Sequence, residues 1–455
     1  MAVLLEPCLM PRGLDGGCDD VTHVGVTVQK REAAPRRGAW RVDFAVAWRA
    51  LVVSRLLVWA AGLGALLIWG VNARHSTDFD PAGLTRPFGA YGDTLVAPAA
   101  RWDTVWFLNI ADSGYAGGDR TAFFPLYPLL VRVGGIVCGS PLIAAIALSV
   151  SAFLVALAAL HRLAVIEVGP EAARWAVYAT ALFPGSLWFS AAYSESLFLM
   201  VSVGAVLCAR QERWAAAGAL GALAAATRSA GLLLLVPLAL LWLEAYRGRR
   251  RGQDAGAGAP AAGARRARVR DLAWLALVPA GLGAFCGYLA LTGHRADAPF
   301  SAQDTWHRTL HGPWAGVRDG AVAAWDGIRQ LVHGPPPPVY FDRAAGDAMA
   351  IGRHNIALLA CLLIAIPALA GALRRLPPAH GAYALVALML PLSYPVGPQP
   401  LMSLPRFEAV LYPLFLWLGL WLARGPAWRR IAVLGVFGAG LAACSALFST
   451  WHWVA

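Results

Sequence analysis

Apolar residues in this chain gather in blocks of about 18 to 25, the length that carries a helix across a hydrocarbon core, near positions 46–70, 142–165, 175–192, 194–210, 213–227, 229–246, 271–292, 355–373, 380–396, 407–423 and 431–448. The pattern predicts an all-α, polytopic integral membrane protein with about 11 transmembrane helices. The block at 213–227 is short, and 122–139 reads either as a further span or as a tilted interfacial helix, which alters the parity of everything after it.

Arginine placement orients these spans, because short basic loops stay cytoplasmic. With the N-terminus inside, His161/Arg162, Arg210/Arg213, the 247–270 stretch, Arg374/Arg375 and Arg424 to Arg430 all fall on the cytoplasmic side. The 247–270 stretch surrounds a Gly/Ala/Pro-rich middle with arginines and reads as a basic linker. The same assignment puts 71–121, the tip Thr227 to Ser229, the 293–354 loop and 397–406 outside. Residues 1–45, polar and Gly-rich without a signal-peptide core, read as a disordered cytoplasmic tail before a membrane domain over 46–455.

Composition narrows the classes. With 58% hydrophobic and 14% charged residues and a mean hydropathy of +0.56, the chain is too apolar for a soluble enzyme. Its net charge of +12 is spread between apolar blocks instead of along one face, so a membrane and not nucleic acid is the expected partner. A single lysine, Lys30, among abundant Arg, Ala and Gly fits a GC-rich, bacterial source and its plasma membrane. Seven scattered cysteines lack C-x-x-C spacing, and His294, His307, His311 and His333 lack compact ligand spacing, so neither a disulfide framework nor a metal cofactor is expected. Asp78 and Asp80 form a D-x-D, a spacing that also arises by chance.

The unusual polar residues lie in the outer segments. Arg101-Trp102-Asp103-Thr104-Val105-Trp106-Phe107 leads to Ile110-Ala111-Asp112-Ser113-Gly114-Tyr115 and then Ala122-Phe123-Phe124-Pro125-Leu126-Tyr127-Pro128. Trp102, Val105, Trp106 and Ile110 share one helical face, which predicts an interfacial helix with its aromatic side in lipid headgroups. Asp103 at its start reads either as an N-cap or as a general base. Glu195, in Ala192-Tyr193-Ser194-Glu195-Ser196, sits at the outer end of a span and needs a partner there. Arg228, in Ala226-Thr227-Arg228-Ser229, and Arg406, in Leu404-Pro405-Arg406-Phe407, read either as snorkelling side chains or as forks for a phosphate.

These segments, in this order from about residue 45 onward, resemble the GPI mannosyltransferase II family and its bacterial relatives. The resemblance implies a GT-C glycosyltransferase, in which a lipid-phosphate sugar donor, a polyprenyl-phosphate mannose, supplies a mannosyl residue to a glycolipid or glycan acceptor on the extracytoplasmic face, with inversion. It implies Asp103 as the catalytic base; Arg101, Trp102, Glu195, Arg228 and Arg406 are the candidate substrate-binding residues beside it, and no cofactor is expected. The tail before residue 45 has no counterpart in it. Two other classes remain open to the sequence, a flippase for a lipid-linked sugar and a non-catalytic membrane assembly protein.

Overall fold

The computed structural model describes residues 39–254, 268–334 and 348–454, and among them the chain is helical without strands. The expected tail up to residue 38, the middle of the basic linker and residues 335–347 of the long outer loop lie outside the described residues.

The first helix, α1 (Ala39–Trp69), begins inside the stretch read as tail. Trp40, Val42 and Phe44 leave an apolar surface exposed, while Asp43 is buried against His161 at 2.6 Å, so this end is tied to the bundle. The segment that follows holds α2 (Ala73–Phe79), α3 (Gly89–Val96) and α4 (Thr104–Ser113), and α5 (Leu126–Cys138) takes up the ambiguous 122–139 stretch as a 13-residue apolar helix. Next come α6 (Pro141–Val168), α7 (Pro170–Leu182), α8 (Glu195–Arg210), α9 (Trp214–Ala225) and α10 (Leu235–Asp254). The rest comprises α11 (Leu277–Leu291), the short α12 (Ala298–Ser301), α13 (Pro313–His333), α14 (Ala348–Arg375), α15 (Pro378–Leu392), the short α16 (Leu404–Ala409), α17 (Tyr412–Ala423) and α18 (Ala427–Ser449).

Each of the eleven apolar blocks contains a helix, but their lengths divide into two sets. Six segments, among them α1, α6, α14 and α18, are long and apolar enough to cross a membrane by themselves. Others stop short: α9, α15 and α17 have 12, 15 and 12 residues, and the 175–192 block ends as a 3₁₀ turn over Pro184–Phe189. Proline explains the last of these, because Pro184 follows α7 and cannot continue it.

Side-chain size sets how closely the helices approach. A Cβ on Gly218 would lie 2.1 Å from the Trp274 carbonyl oxygen, so only glycine lets α9 meet this neighbouring backbone. Gly185 does the same at the centre of the molecule, where a Cβ would lie 2.3 Å from the Pro405 carbonyl oxygen. In α1, the buried Arg55 guanidinium donates to the Ser186 carbonyl at 2.8 Å and to Ser190 Oγ at 2.7 Å, which fixes the broken 184–194 segment to a continuous helix.

The interrupted ends meet at one level. Ala192 N donates to Ala99 O at 2.8 Å, Leu126 N donates to Ala226 O at 3.1 Å, and Ser149 Oγ donates to Tyr193 O at 3.2 Å. Ser149 lies eight residues into α6 from Pro141, about 12 Å along the axis at 1.5 Å per residue. The junction therefore sits below the end of α6, and irregular backbone at such depth is tolerated only when it is buried in protein or lines a cavity.

Candidate active site

Asp103 occupies the N-cap position of α4, but its carboxylate makes no capping hydrogen bond. Oδ2 instead accepts from Arg406 Nη1 at 2.5 Å. Its main chain is held by Tyr193, whose hydroxyl accepts from Asp103 N at 3.0 Å and donates to Arg101 O at 3.3 Å. The preceding Trp102 has φ +54°, a conformation rare for a bulky side chain. Such strain costs about 1 to 3 kcal/mol and persists only where the surroundings impose it. Asp103 retains 23% of its side-chain exposure, and Oδ1 has no hydrogen-bond partner among the described residues.

Glu195 begins α8 and is fully buried. Its Oε1 accepts from both Arg228 Nη1 and Arg406 Nε, while Oε2 has no partner among the described residues. Arg406 thus joins two carboxylates through different edges of one guanidinium, which also lies 4.8 Å from the Tyr193 ring centroid. Burial opposes its charge, but the Glu195 and Asp103 carboxylates outweigh burial and hold its pKa above the ordinary arginine value. The short α16, anchored by the Gly185–Pro405 approach, presents Arg406 to this junction.

A third arginine, Arg308, enters from the segment before α13. Its guanidinium carbon lies 5.8 Å from the Phe407 ring centroid, and that of Arg228 lies 5.5 Å from the same centroid. Burial, reinforced by the charges of Arg406 and Arg228 and opposed by Asp103, brings Arg308 down to about 10. It remains a cation at neutral pH.

A narrow cleft of about 10 Å³ runs beside Asp103 and Arg406, walled by Trp102, Trp188, Tyr193 and Trp453. That is about the space of one water, so the walls must part for anything larger. The buried indole N–H groups of Trp102 and Trp453 have no acceptor among the described residues, although buried indoles usually find one. A larger cavity of about 390 Å³ lies at the first turns of α7 and α18, between Arg174, Trp175 and Arg430, away from these residues.

The sequence-derived candidates thus separate. Asp103, Glu195, Arg228 and Arg406 form one ionic cluster, and Trp102 lines the adjoining cleft. Arg101 does not join them: its Nε donates to Ser449 O at 3.1 Å, its Nη1 to Ala100 O at 2.7 Å, and its guanidinium stacks 5.3 Å from the Trp451 ring centroid. The predicted helix over this stretch is present as α4, but Trp102, Val105 and Ile110 are buried in protein and do not face lipid headgroups. Trp102 packs edge-on against Phe79, Trp451 and Trp453 instead. Asp80 of the D-x-D accepts from Leu84 N, Thr85 N and Thr85 Oγ1 at 2.7 to 2.9 Å, so its oxygens are occupied by its own loop. Among the described residues no group of three or more His, Cys, Asp or Glu side chains is arranged to hold a metal.

Comparison with known proteins bears on the same residues. Residues 44–246 match the family model described as mannosyltransferase (PIG-V). The GPI alpha-1,6-mannosyltransferase 2 of Rattus norvegicus is 35% identical over 173 residues, 35% of each chain. That of Mus musculus is 35% identical over 187 residues, 38% of each chain, and that of Homo sapiens is 30% identical over 173 residues, 35% of each chain. The chain matches about a third of the length of these curated relatives. No solved structure matches it. Residues 44–246, which carry Asp103, Glu195 and Arg228, are thus similar to the mannosyltransferase (PIG-V) family.

Proposed function

We propose that the protein is a membrane mannosyltransferase that moves a mannosyl residue from polyprenyl-phosphate mannose to a glycolipid or glycan acceptor on the extracytoplasmic face, with inversion. The observation that carries this reading is the half-committed carboxylate of Asp103: Oδ2 is held by Arg406 while Oδ1 is free beside a cleft. Arg406 fixes the orientation of the carboxylate, and Oδ1 takes the proton of an acceptor hydroxyl. The hydroxyl oxygen bonds to the anomeric carbon as the bond from that carbon to the phosphate oxygen breaks, and the electron pair leaves with the phosphate. Attack from the side opposite the leaving phosphate inverts the centre.

Charge follows the same path. Protonated Asp103 no longer neutralises Arg406 at the moment the departing phosphate gains negative charge, so the guanidinium cluster is freed to stabilise it. The unpaired indole N–H groups of Trp102 and Trp453 are available to acceptor hydroxyls. The 10 Å³ cleft opens by movement of its aromatic walls when substrate enters.

A flippase for a lipid-linked sugar would also use broken helices around buried charge, but it breaks no bond. The purified full-length protein in proteoliposomes, given polyprenyl-phosphate mannose labelled in the sugar and a lipid extract as acceptor, separates the two. The proposal expects the label in a new glycoside and unlabelled polyprenyl phosphate as co-product. Label that crosses the bilayer still attached to its carrier, or no product from this donor, would overturn it.

A further inference from the structure

Charge around the site does not balance. Asp103 and Glu195 supply two carboxylates, whereas Arg228, Arg308 and Arg406 supply three guanidinium groups, a surplus of one positive charge. The ion pairs locate that surplus. Arg406 contacts both carboxylates and Arg228 contacts Glu195, but Arg308 has no ion-pair partner among the described residues. Its guanidinium lies over the face of Phe407, and a cation–π contact alone compensates poorly for the desolvation of a cation.

We propose that Arg308 binds the phosphate of the lipid donor and of the lipid-phosphate product. This rests on the glycosyltransferase reading above for the identity of the anion. Arg228 and Arg308 approach one ring, that of Phe407, and Arg406 is its neighbour in sequence, so a phosphate at the edge of this ring meets guanidinium groups from three segments of the chain. Two of these are already spoken for by carboxylates, and Arg308 has its full donor set to offer. The chemistry calls for such a group. A donor phosphodiester carries one negative charge, and the monoester that leaves approaches two.

The position is built into the fold. Arg308 N donates to Gln303 O at 3.3 Å, Thr305 Oγ1 donates to Asp119 Oδ1 at 2.9 Å, and His311 N donates to Ser393 O at 2.9 Å. The segment is thereby tied on one side to the outer stretch that follows α4 and on the other to the end of α15. Burial and the charges of Arg406 and Arg228 bring Arg308 down to about 10, as expected where an anion is needed.

The test uses the full-length protein in proteoliposomes, wild type against Arg308→Gln and Arg308→Lys, with two readouts. Direct binding of polyprenyl monophosphate is measured first, and the KM values for donor and acceptor second. Arg308→Gln should weaken monophosphate binding and raise the donor KM about 10- to 100-fold, the range for a lost charged hydrogen bond. The acceptor KM should be unchanged, and Arg308→Lys should recover part of the loss. A wild-type protein that binds the monophosphate through Arg308 but transfers no sugar would support this assignment and overturn the reading of function. Wild-type protein that does not bind polyprenyl monophosphate, equal binding by Arg308→Gln and wild type, or equal rises in both KM values would overturn the assignment of Arg308.

Discussion

Among the described residues, ionic networks lie at both ends of α8, and their difference locates function better than either alone. Near the start of the basic linker, Arg210 grips Glu167 through Nε and Nη2, reaches Glu244 at 2.9 Å, and so ties α8 to α6 and α10. His380 adds α15: its Nε2 lies 3.2 Å from Glu167 without hydrogen-bond alignment, and its Nδ1 lies 3.0 Å from the Tyr412 hydroxyl. Every charge in that network faces an opposite charge or a polar partner, and Glu167, Arg210 and Glu244 stand on continuous helices. At the other end of α8, among the described residues, Glu195 Oε2 and Asp103 Oδ1 have no partner, Arg308 has no counter-ion, and the helices break on three sides. Buried ion pairs are weak evidence of purpose by themselves, since a satisfied network serves to join helices. Incomplete satisfaction, with broken backbone and a cleft beside it, distinguishes a place prepared for something else.

The sharpest way to break this comparison is to damage the satisfied network. Arg210→Leu leaves the buried Glu167 carboxylate without its main partner and should cost about 3 to 5 kcal/mol of stability, read as a lower midpoint in thermal unfolding in detergent. Transfer per folded molecule should stay near wild type. Next in size, Arg406→Lys retains the charge but cannot bridge Asp103 and Glu195 with one planar group. Single-turnover transfer should fall by about 10²- to 10³-fold, the range for one displaced electrostatic donor, with normal membrane insertion.

Smaller effects test the residues that stand apart from the cluster. Arg101→Gln removes the hydrogen bond to Ser449 O and the stacking on Trp451, and should lower stability by about 1 to 3 kcal/mol while leaving the donor KM unchanged. A large rise in donor KM without loss of stability would return Arg101 to the substrate site. Smallest of all, Asp80→Asn weakens one loop by about 1 kcal/mol, visible as faster proteolysis near residues 80–86. Transfer by this variant should be indifferent to added divalent cation or chelator.

Much of this architecture is legible in the sequence because the bilayer imposes a length on apolar segments, and each predicted block contains a helix. Polar residues at the ends of such blocks are conspicuous, which is why Asp103, Glu195, Arg228 and Arg406 could be picked out before their geometry was known. The interruptions were less visible. Hydropathy over 175–192 is the same whether the segment continues or turns at Pro184, and the 407–423 block hides the break between α16 and α17. The apolar face at the start of α4 is ambiguous in sequence because Trp102, Val105 and Ile110 suit lipid and protein interior equally. Arg308 gave no signal at all: arginine in a polar outer loop is ordinary, and only the position of Phe407 beneath it makes it unusual. Tyr193, quoted with Glu195 as part of one segment, gave no hint that its hydroxyl would hold the Asp103 main chain.

The central claim is that Asp103 accepts the proton of the attacking hydroxyl, and Asp103→Asn tests it most directly. Asparagine preserves size, can still accept from Arg406 Nη1, and removes the basic oxygen. The measurement is single-turnover mannosyl transfer in proteoliposomes, normalised to folded protein and accompanied by binding of polyprenyl monophosphate. The account predicts a fall of about 10²- to 10⁴-fold in transfer with donor-side binding intact. Near-normal transfer by a well-inserted Asp103→Asn protein would contradict it, and the unpaired oxygen of Glu195 would then be the remaining carboxylate at the junction able to take the proton.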